Sequence, residues 1–315
     1  MAQVSFIYHP DVLLHDTGPG HPERRERLES LVSHLMSSDL WGRIDHVRPE
    51  EAPVDAITAV HSERYVEEVI RKIRIGETLL DDGDTRVSAG SSRAALLAAG
   101  AAMQAVDVAC SGERRHAFSA MRPPGHHAET SRAMGFCVFN NVAVAARHAQ
   151  RRHGLERIAI VDWDVHHGNG TEEIFWRDPS VLYVSLHQYP LWPGTGAEND
   201  VGEGDGKGMT LNCPMRPGSG EKEYEQAFRE KVIPTLMSFA PDLLLISAGF
   251  DAHRDDPLAN MNLTESSFGL LTRMLAEVVA ASTTRGIVSV LEGGYDLRAL
   301  GGSVETHLRA LQQGV

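Results

Sequence analysis

Long apolar runs are missing from this sequence: no stretch approaches the roughly 20 residues of a membrane span, so none is expected. The amino end, MAQVSFIYHPDVLLHD, lacks both a basic start and a sustained apolar stretch, so no secretory signal is read there and a cytoplasmic location is the default. Cysteine is scarce. Cys110, Cys137 and Cys213 stand far apart, without the paired spacing of a zinc knuckle or a disulfide frame. They are expected to be small buried apolar residues in a reducing compartment. Positive charge is also short: 30 Lys and Arg against 43 Asp and Glu leave a net charge of -13. That balance argues against a nucleic-acid backbone as partner, because a phosphate-binding surface needs clustered Lys and Arg. It is compatible with a cationic substrate. Repeats, low-complexity tracts and long Pro/Gly/Ser linkers are absent too, so residues 1–315 are expected to form one domain.

What is present is a soluble globular balance, 42% hydrophobic and 23% charged, in a chain long enough to bury a sizeable core. One unit recurs: a short Val/Ile/Leu-rich run followed at once by polar or glycine-rich sequence. It occurs as HAFSAMRPPGHHA (116–128), IAIVDWDVHHGNG (158–170), VLYVSLH (181–187), DLLLISAGFDAH (242–253) and IVSVLEGGYD (287–296). Helical patterns lie between most of them, at 91–108, 142–152, 221–239 and 265–281. Continuous apolar strands alternating with helices predict an α/β fold with a mainly parallel central sheet covered on both faces. The link 170–181 looks too short for a full crossover helix. In such a sheet ligands bind beyond the carboxyl ends of the strands, so five runs ending in His, Asp, Ser, Glu or Tyr deliver those side chains to one rim.

If the chain stays extended through 162–166, the two-residue period puts Asp162, Asp164 and His166 on one side. Two carboxylates and an imidazole beside an apolar core repel and cost desolvation energy unless a cation or proton neutralises them. A metal is the economical explanation, and mixed oxygen and nitrogen donors suit zinc. The third ligand comes from GFDAH (249–253), which offers Asp251, with His253 in competition. RPPGHHA (122–128) adds adjacent imidazoles, His126 and His127, whose acidity near neutrality suits a general base and a general acid. In EGGYD (292–296) two glycines let the backbone turn sharply and present Tyr295, a phenol able to donate to an oxyanion. Singly, each of these residues would more often be a structural polar group. Their convergence on one rim carries the reading.

RPPGHHA, GFCVFNN (135–141), DWDVHHGNGT (162–171), SLH (185–187), PGTG (193–196), GFDAH and LEGGYD (291–296) resemble, in order, the motif set of the histone deacetylase and acetylpolyamine amidohydrolase superfamily. The resemblance runs from HPERRERL near residue 21 to about residue 300 and implies an arginase/deacetylase-like fold. It implies a zinc held by Asp164, His166 and Asp251, with iron(II) as the alternative ion in the cell. His126 and His127 would flank the attacking water, partnered by Asp162 and Asn169, and Tyr295 would bind the oxyanion. Asn169 and Glu292 match a class II pattern, where class I relatives usually show Asp and Gly; a class IIa enzyme would carry His in place of Tyr295. The resemblance further implies a structural potassium at Asp162, Asp164, Ser185 and the backbone carbonyls of His166 and Leu186, and a peripheral one around Phe175, Asp178 and Val181.

By the same resemblance Gly135, Phe136 and Trp192 line an acyl-amine tunnel, the two aromatic rings facing each other across a slot. Leu258 stands where a Glu marks polyamine-selective relatives, which favours acetyl-lysine over acetylpolyamine. Asp82 and Asp84, in LDDGDTRVS, would reach the rim and bind substrate, against the plainer reading of a solvated acidic turn. The implied activity is zinc-dependent hydrolysis of an acyl-lysine peptide or protein, releasing acetate and amine. An acetylated small amine is the alternative substrate. A ligand-holding module without turnover is opposed by the intact His126, His127 and Tyr295. A two-manganese arginase-type hydrolase needs more bridging carboxylates than Asp164 and Asp251 provide. No membrane or nucleic-acid partner is implied, and a homo-oligomer is left open.

Overall fold

The computed structural model describes residues 3–313 apart from 82, 113 and 114. All five apolar runs contribute strands, and three strands that the sequence reading did not foresee complete the sheet. The strands are β1 (Gln3–Ile7), β2 (Asp45–Val47), β3 (Arg115–Ser119), β4 (Ile158–Asp162), β5 (Val181–Gln188), β6 (Thr210–Met215), β7 (Leu243–Ala248) and β8 (Ile287–Leu291). They form one eight-stranded sheet in the order β2-β1-β3-β8-β7-β4-β5-β6, every pair parallel. The five strands legible in the sequence, β3, β8, β7, β4 and β5, are its contiguous centre. There both faces are covered, so β4, β7 and β8 are buried at every position and read as unbroken apolar runs. β1 and β2 are short, and β6 carries Pro214, which an edge strand tolerates because one side needs no ladder donor.

The α-helices are α1 (Glu26–Ser37), α2 (Val54–Ile57), α3 (Glu63–Arg74), α4 (Ser91–Cys110), α5 (Asn141–His153), α6 (Asn169–Phe175), α7 (Glu221–Ala227), α8 (Ile233–Phe239), α9 (Glu265–Ala280) and α10 (Leu297–Gln313). α4 and α5 pack on each other and on the sheet, while α10 joins α1 and α9 in a second group, giving helices on both faces. Local chemistry sets the ends. Asn140 caps α5 by accepting from the Ala143 N–H at 3.0 Å, and Gly154 closes it at a left-handed φ of 65°.

Four expectations need correction. The link 170–181 does contain a helix, the seven-residue α6, because β4 and β5 are adjacent and the crossover need reach no further. The stretch 221–239 is not one regular helix: a π-turn at Phe228–Val232 separates α7 from α8, and Pro234, at the start of α8, has no N–H to continue the α-pattern. α4 is long and apolar enough by length and composition to cross a membrane, contrary to the reading of the sequence, yet most of it is buried against β3 and α5. Cys137 and Cys213 are buried as expected, whereas Cys110 is only partly so.

Candidate active site at the strand ends

β4 ends at Asp162, so the chain is not extended through 162–166. The Asp162 carboxylate accepts from the Asp164 N–H (3.1 Å) and the Asp164 carboxylate accepts from the His166 N–H (2.9 Å). These successive side-chain turns, rather than a pleat, coil the three side chains together. β7 brings Asp251 to the same place. His166 Nδ1 lies 3.1 Å from Asp164 Oδ1 and 3.2 Å from Asp251 Oδ2. Both carboxylates are buried and the imidazole is partly open. The remaining oxygens are tied to backbone: Asp164 Oδ2 accepts from the Gly293 N–H (2.8 Å) and Asp251 Oδ1 from the Val165 N–H (2.9 Å). Gly293 is required by this approach, since a Cβ there would lie 2.1 Å from Asp251 Oδ2.

The donor set fits a divalent ion. Zinc bonds of about 2.0 Å at tetrahedral angles place donor atoms about 3.3 Å apart, close to the separations observed from His166. Burial pushes the Asp251 carboxyl up and the Asp164 charge pushes it further, a strain that a bound cation relieves. His253, the competing ligand, points elsewhere, with Nε2 3.4 Å from Glu265 and Nδ1 3.7 Å from Asp255. His167 is likewise turned away, 2.8 Å from the Thr195 hydroxyl.

The loop after β3 lays His126 and His127 beside this cluster, ring centroids 3.9 Å apart. His126 Nδ1 lies 3.0 Å from Asp162 Oδ2, which also accepts from the Tyr183 hydroxyl, and His126 Nε2 is 3.7 Å from Asp164. His127 Nδ1 lies 2.8 Å from Asn169 Oδ1. Burial alone pushes both rings down, but around His126 the charges of Asp162 and Asp164 outweigh it and lift the ring to about 10. His127 has a neutral partner and stays well below the usual range, driven down by burial and then by His126 and His166. Two adjacent imidazoles thus differ sharply in basicity.

Tyr295 is half-buried at the end of the loop after β8. Its ring meets Phe136 at 6.0 Å and lies 4.8 Å under the Arg27 guanidinium. Gly135 and Phe136 both adopt positive φ, 55° and 68°, in a tight turn closed by Met134 and Cys137, a conformation unusual for Phe. Phe136 packs on His21 (4.6 Å), whereas Trp192, 44% exposed, packs on His127 (4.7 Å) and His166 (6.1 Å). Phe136 therefore flanks the Tyr295 side and Trp192 the His127 side. Trp192, Gly135 and Asp84 also line an adjoining cavity of about 610 Å³. Asp82 lies outside the described residues. Leu258 is partly buried, and its N–H donates to Asp256 (3.0 Å). Ser185, opposite Asp162 in the β4–β5 register, is buried 2.9 Å from His187, and Leu186 follows it in β5. At the peripheral position, Asp178 pairs with Arg147 at 2.6 Å.

Several supporting residues escaped the reading of the sequence. Buried Glu23 joins buried Arg122 through two contacts of 2.7 and 2.6 Å, and Arg27 at 3.2 Å. Arg27 in turn donates to the carbonyls of Glu292 (2.6 Å) and Gly294 (2.7 Å), fixing the Tyr295 loop from below. The Glu292 carboxylate accepts from the N–H groups of Gly125 (2.6 Å) and His126 (3.2 Å), fixing the tandem histidines. Asp256 accepts from the Tyr295 N–H at 2.6 Å, and Glu129 from the Asn169 amide at 2.9 Å. The charged run HPERRERL and the Arg opening RPPGHHA were the available signals, but nothing in their spacing reveals a buried ion-pair cluster.

A parallel α/β sheet with acids, imidazoles and a phenol gathered at its carboxyl edge describes a hydrolase-type site. The histone deacetylase domain model matches residues 21–311. A histone deacetylase-like amidohydrolase of Pseudomonas aeruginosa is 41% identical over 277 residues, covering 88% of this chain and 73% of that one. A probable deacetylase of Archaeoglobus fulgidus is 39% identical over 293 residues, covering 92% and 81%. Among solved structures, the crystal structure of the HDA15 HD domain superposes with a TM-score of 0.94 at 37% identity, covering all of this chain and 89% of that one. The chain belongs to the histone deacetylase family of amidohydrolases.

Proposed function

We propose that the chain, as one catalytic domain over residues 1–315, is a zinc-dependent deacylase acting on acetyl-lysine or another acyl-lysine. The observation that carries this reading is the unequal histidine pair, His126 against Asp162 and His127 against Asn169, beside the Asp164, His166 and Asp251 donors. The chemistry an ion supplies there when bound is Lewis acidity, which polarises a carbonyl and lowers the pKa of water toward about 7 in well-known zinc hydrolases. Iron(II) shares the donor requirements in the cell. Oxygen donors around Asp162, namely Asp164, Ser185 and the carbonyls of His166 and Leu186, are proposed to hold potassium; the pairing of Asp162 with Ser185 supports this.

His127, neutral near pH 7, accepts the proton of the attacking water at Nε2 while Asn169 engages Nδ1. His126 stays cationic beside Asp162 and stabilises developing negative charge. The Tyr295 hydroxyl donates to the oxyanion, and the proton held by the histidine pair passes to the departing amine. Gly135, Phe136 and Trp192 take the apolar acyl-amine stem and exclude water. Asp84, beside the same cavity, receives the substrate backbone or amine. Leu258 stands where polyamine-selective relatives carry a Glu, which favours lysine over polyamine. The test is mass-spectrometric turnover of a panel of acetyl-lysine peptides, longer acyl-lysine peptides, acetylputrescine and acetylspermidine, with and without chelator. Chelator-sensitive cleavage of the peptides supports the reading. Preference for the acetylated amines moves the function to small-amine deacetylation.

A further inference from the structure

Outside the strand-end site, three more metal-type donors converge: Asp107 on α4, and His148 and His153 on α5. Asp107 Oδ1 lies 2.8 Å from His148 Nε2 and 2.6 Å from His153 Nε2. The two imidazoles meet edge to face at 5.8 Å, and the three donor atoms lie within 4.8 Å of one another. Positions five apart on a helix point about 140° away from each other, so His148 and His153 would not ordinarily share a face. They do so here because His153 is the last residue of α5, just before the left-handed Gly154, and its ring returns across the seam between α4 and α5.

An ion pair with Asp107 would need one histidine. Two, aimed through the same ring atom at the same oxygen, make the mixed nitrogen and oxygen set that borderline divalent ions prefer. The side chains are 14%, 23% and 40% exposed for His148, His153 and Asp107, so an ion reaches them from solvent. We propose that Asp107, His148 and His153 form a second, peripheral site for a first-row divalent transition ion of the zinc, nickel or copper(II) class, its shell completed by water. Binding replaces the Nε2 protons with metal bonds, each ring keeping its one remaining proton on Nδ1 and releasing any other to solvent. The donors, now at hydrogen-bond distances, separate to the roughly 3.3 Å that bonds of about 2.0 Å require, a shift that side chains on two helix surfaces can make. Arg151 and Arg152, in the same last turn as His153, oppose a cation and keep the affinity moderate. Such an ion clamps α4 to α5 and stabilises the folded chain by mass action, without touching the strand-end chemistry.

The experiment is zinc titration of the metal-stripped full chain by calorimetry, with metal content by mass spectrometry, for the natural sequence and for the His148→Gln/His153→Gln variant. The expected result is one equivalent fewer in the variant, loss of the zinc-dependent rise in melting temperature assignable to that site, and unchanged turnover. Equal stoichiometry in the two chains overturns the proposal. A third chain, Asp164→Ala/Asp251→Ala, separates the two sites: it should keep one equivalent, bound through the histidine pair, whatever the fate of the activity. If it does not fold, the comparison of the first two chains still decides.

Discussion

His127 Nδ1 lies 2.8 Å from the side-chain oxygen of Asn169, whose amide nitrogen is held by Glu129 Oε1 at 2.9 Å. The neighbouring His126 has a carboxylate, Asp162, in the equivalent place. Burial, followed by the His126 and His166 charges, holds His127 well below the ordinary imidazole range, and its amide partner brings no charge to offset them, whereas the Asp162 and Asp164 charges outweigh burial at His126 and lift it.

Asn169→Asp therefore raises the basicity of His127, because a negative neighbour favours the imidazolium. The acidic limb of the pH profile of kcat/KM should move to higher pH. An unmoved limb would contradict the assignment of His127 as base.

Removing the phenol should leave the donor cluster intact. For Tyr295→Phe the expected loss in kcat is about 100- to 1000-fold, the usual consequence of deleting one oxyanion donor, with metal content unchanged. Undiminished turnover would refute the role.

Gly293→Ala places a Cβ against both acidic donors, 2.1 Å from Asp251 Oδ2 and 2.6 Å from Asp164 Oδ2. Those carboxylates must shift, so metal content and activity should fall together while far-ultraviolet circular dichroism remains native. Retention of metal would show that the cluster yields more easily than its backbone bonds suggest.

Glu23 stands between Arg122 and Arg27 with no exposure. Glu23→Ala strands two buried guanidinium groups, a loss on the order of 3–5 kcal/mol in denaturant unfolding. Its effect on turnover should follow, because Arg27 supports the Tyr295 loop. A cost below about 1 kcal/mol would mean that water enters the cluster.

Acid should destabilise the fold well above the carboxylate range. His61 and His116 are pushed down to about 4, and His187 and His307 to about 3, in each case mainly by burial. Unfolding lets all four take up protons near their ordinary pKa of about 6.5, so their contribution is complete above that pH and is lost progressively as pH falls from there to about 4 for His61 and His116 and to about 3 for His187 and His307. Each is worth about 1.4 kcal/mol per pH unit in that window. Replacing His307 with Gln should flatten the slope of stability against pH by about that amount.

Much of the centre was legible because burial on both faces forces unbroken apolar runs, and the residues that follow β3, β4, β5, β7 and β8 meet simply because those strands are parallel neighbours. The edges were not: β2 has three residues, and β6 opens after a glycine-rich stretch and contains Pro214, so neither carries a readable period. Within the site, the expected pleat through 162–166 is replaced by side-chain turns, which local spacing cannot distinguish from a strand end. The Glu23, Arg27 and Arg122 cluster joins residues up to 99 positions apart, a partnership that only the folded chain displays. The outer trio of Asp107, His148 and His153 spans two helices and is invisible for the same reason.

The central claim is that one divalent ion at Asp164, His166 and Asp251 is required for acyl-lysine hydrolysis. Its most direct test is to strip the His148→Gln/His153→Gln chain with chelator and titrate zinc back while following deacetylation of an acetyl-lysine peptide. The account predicts no turnover without metal and full recovery at one equivalent per chain. Turnover by the stripped chain, or recovery only with two manganese ions, would contradict it.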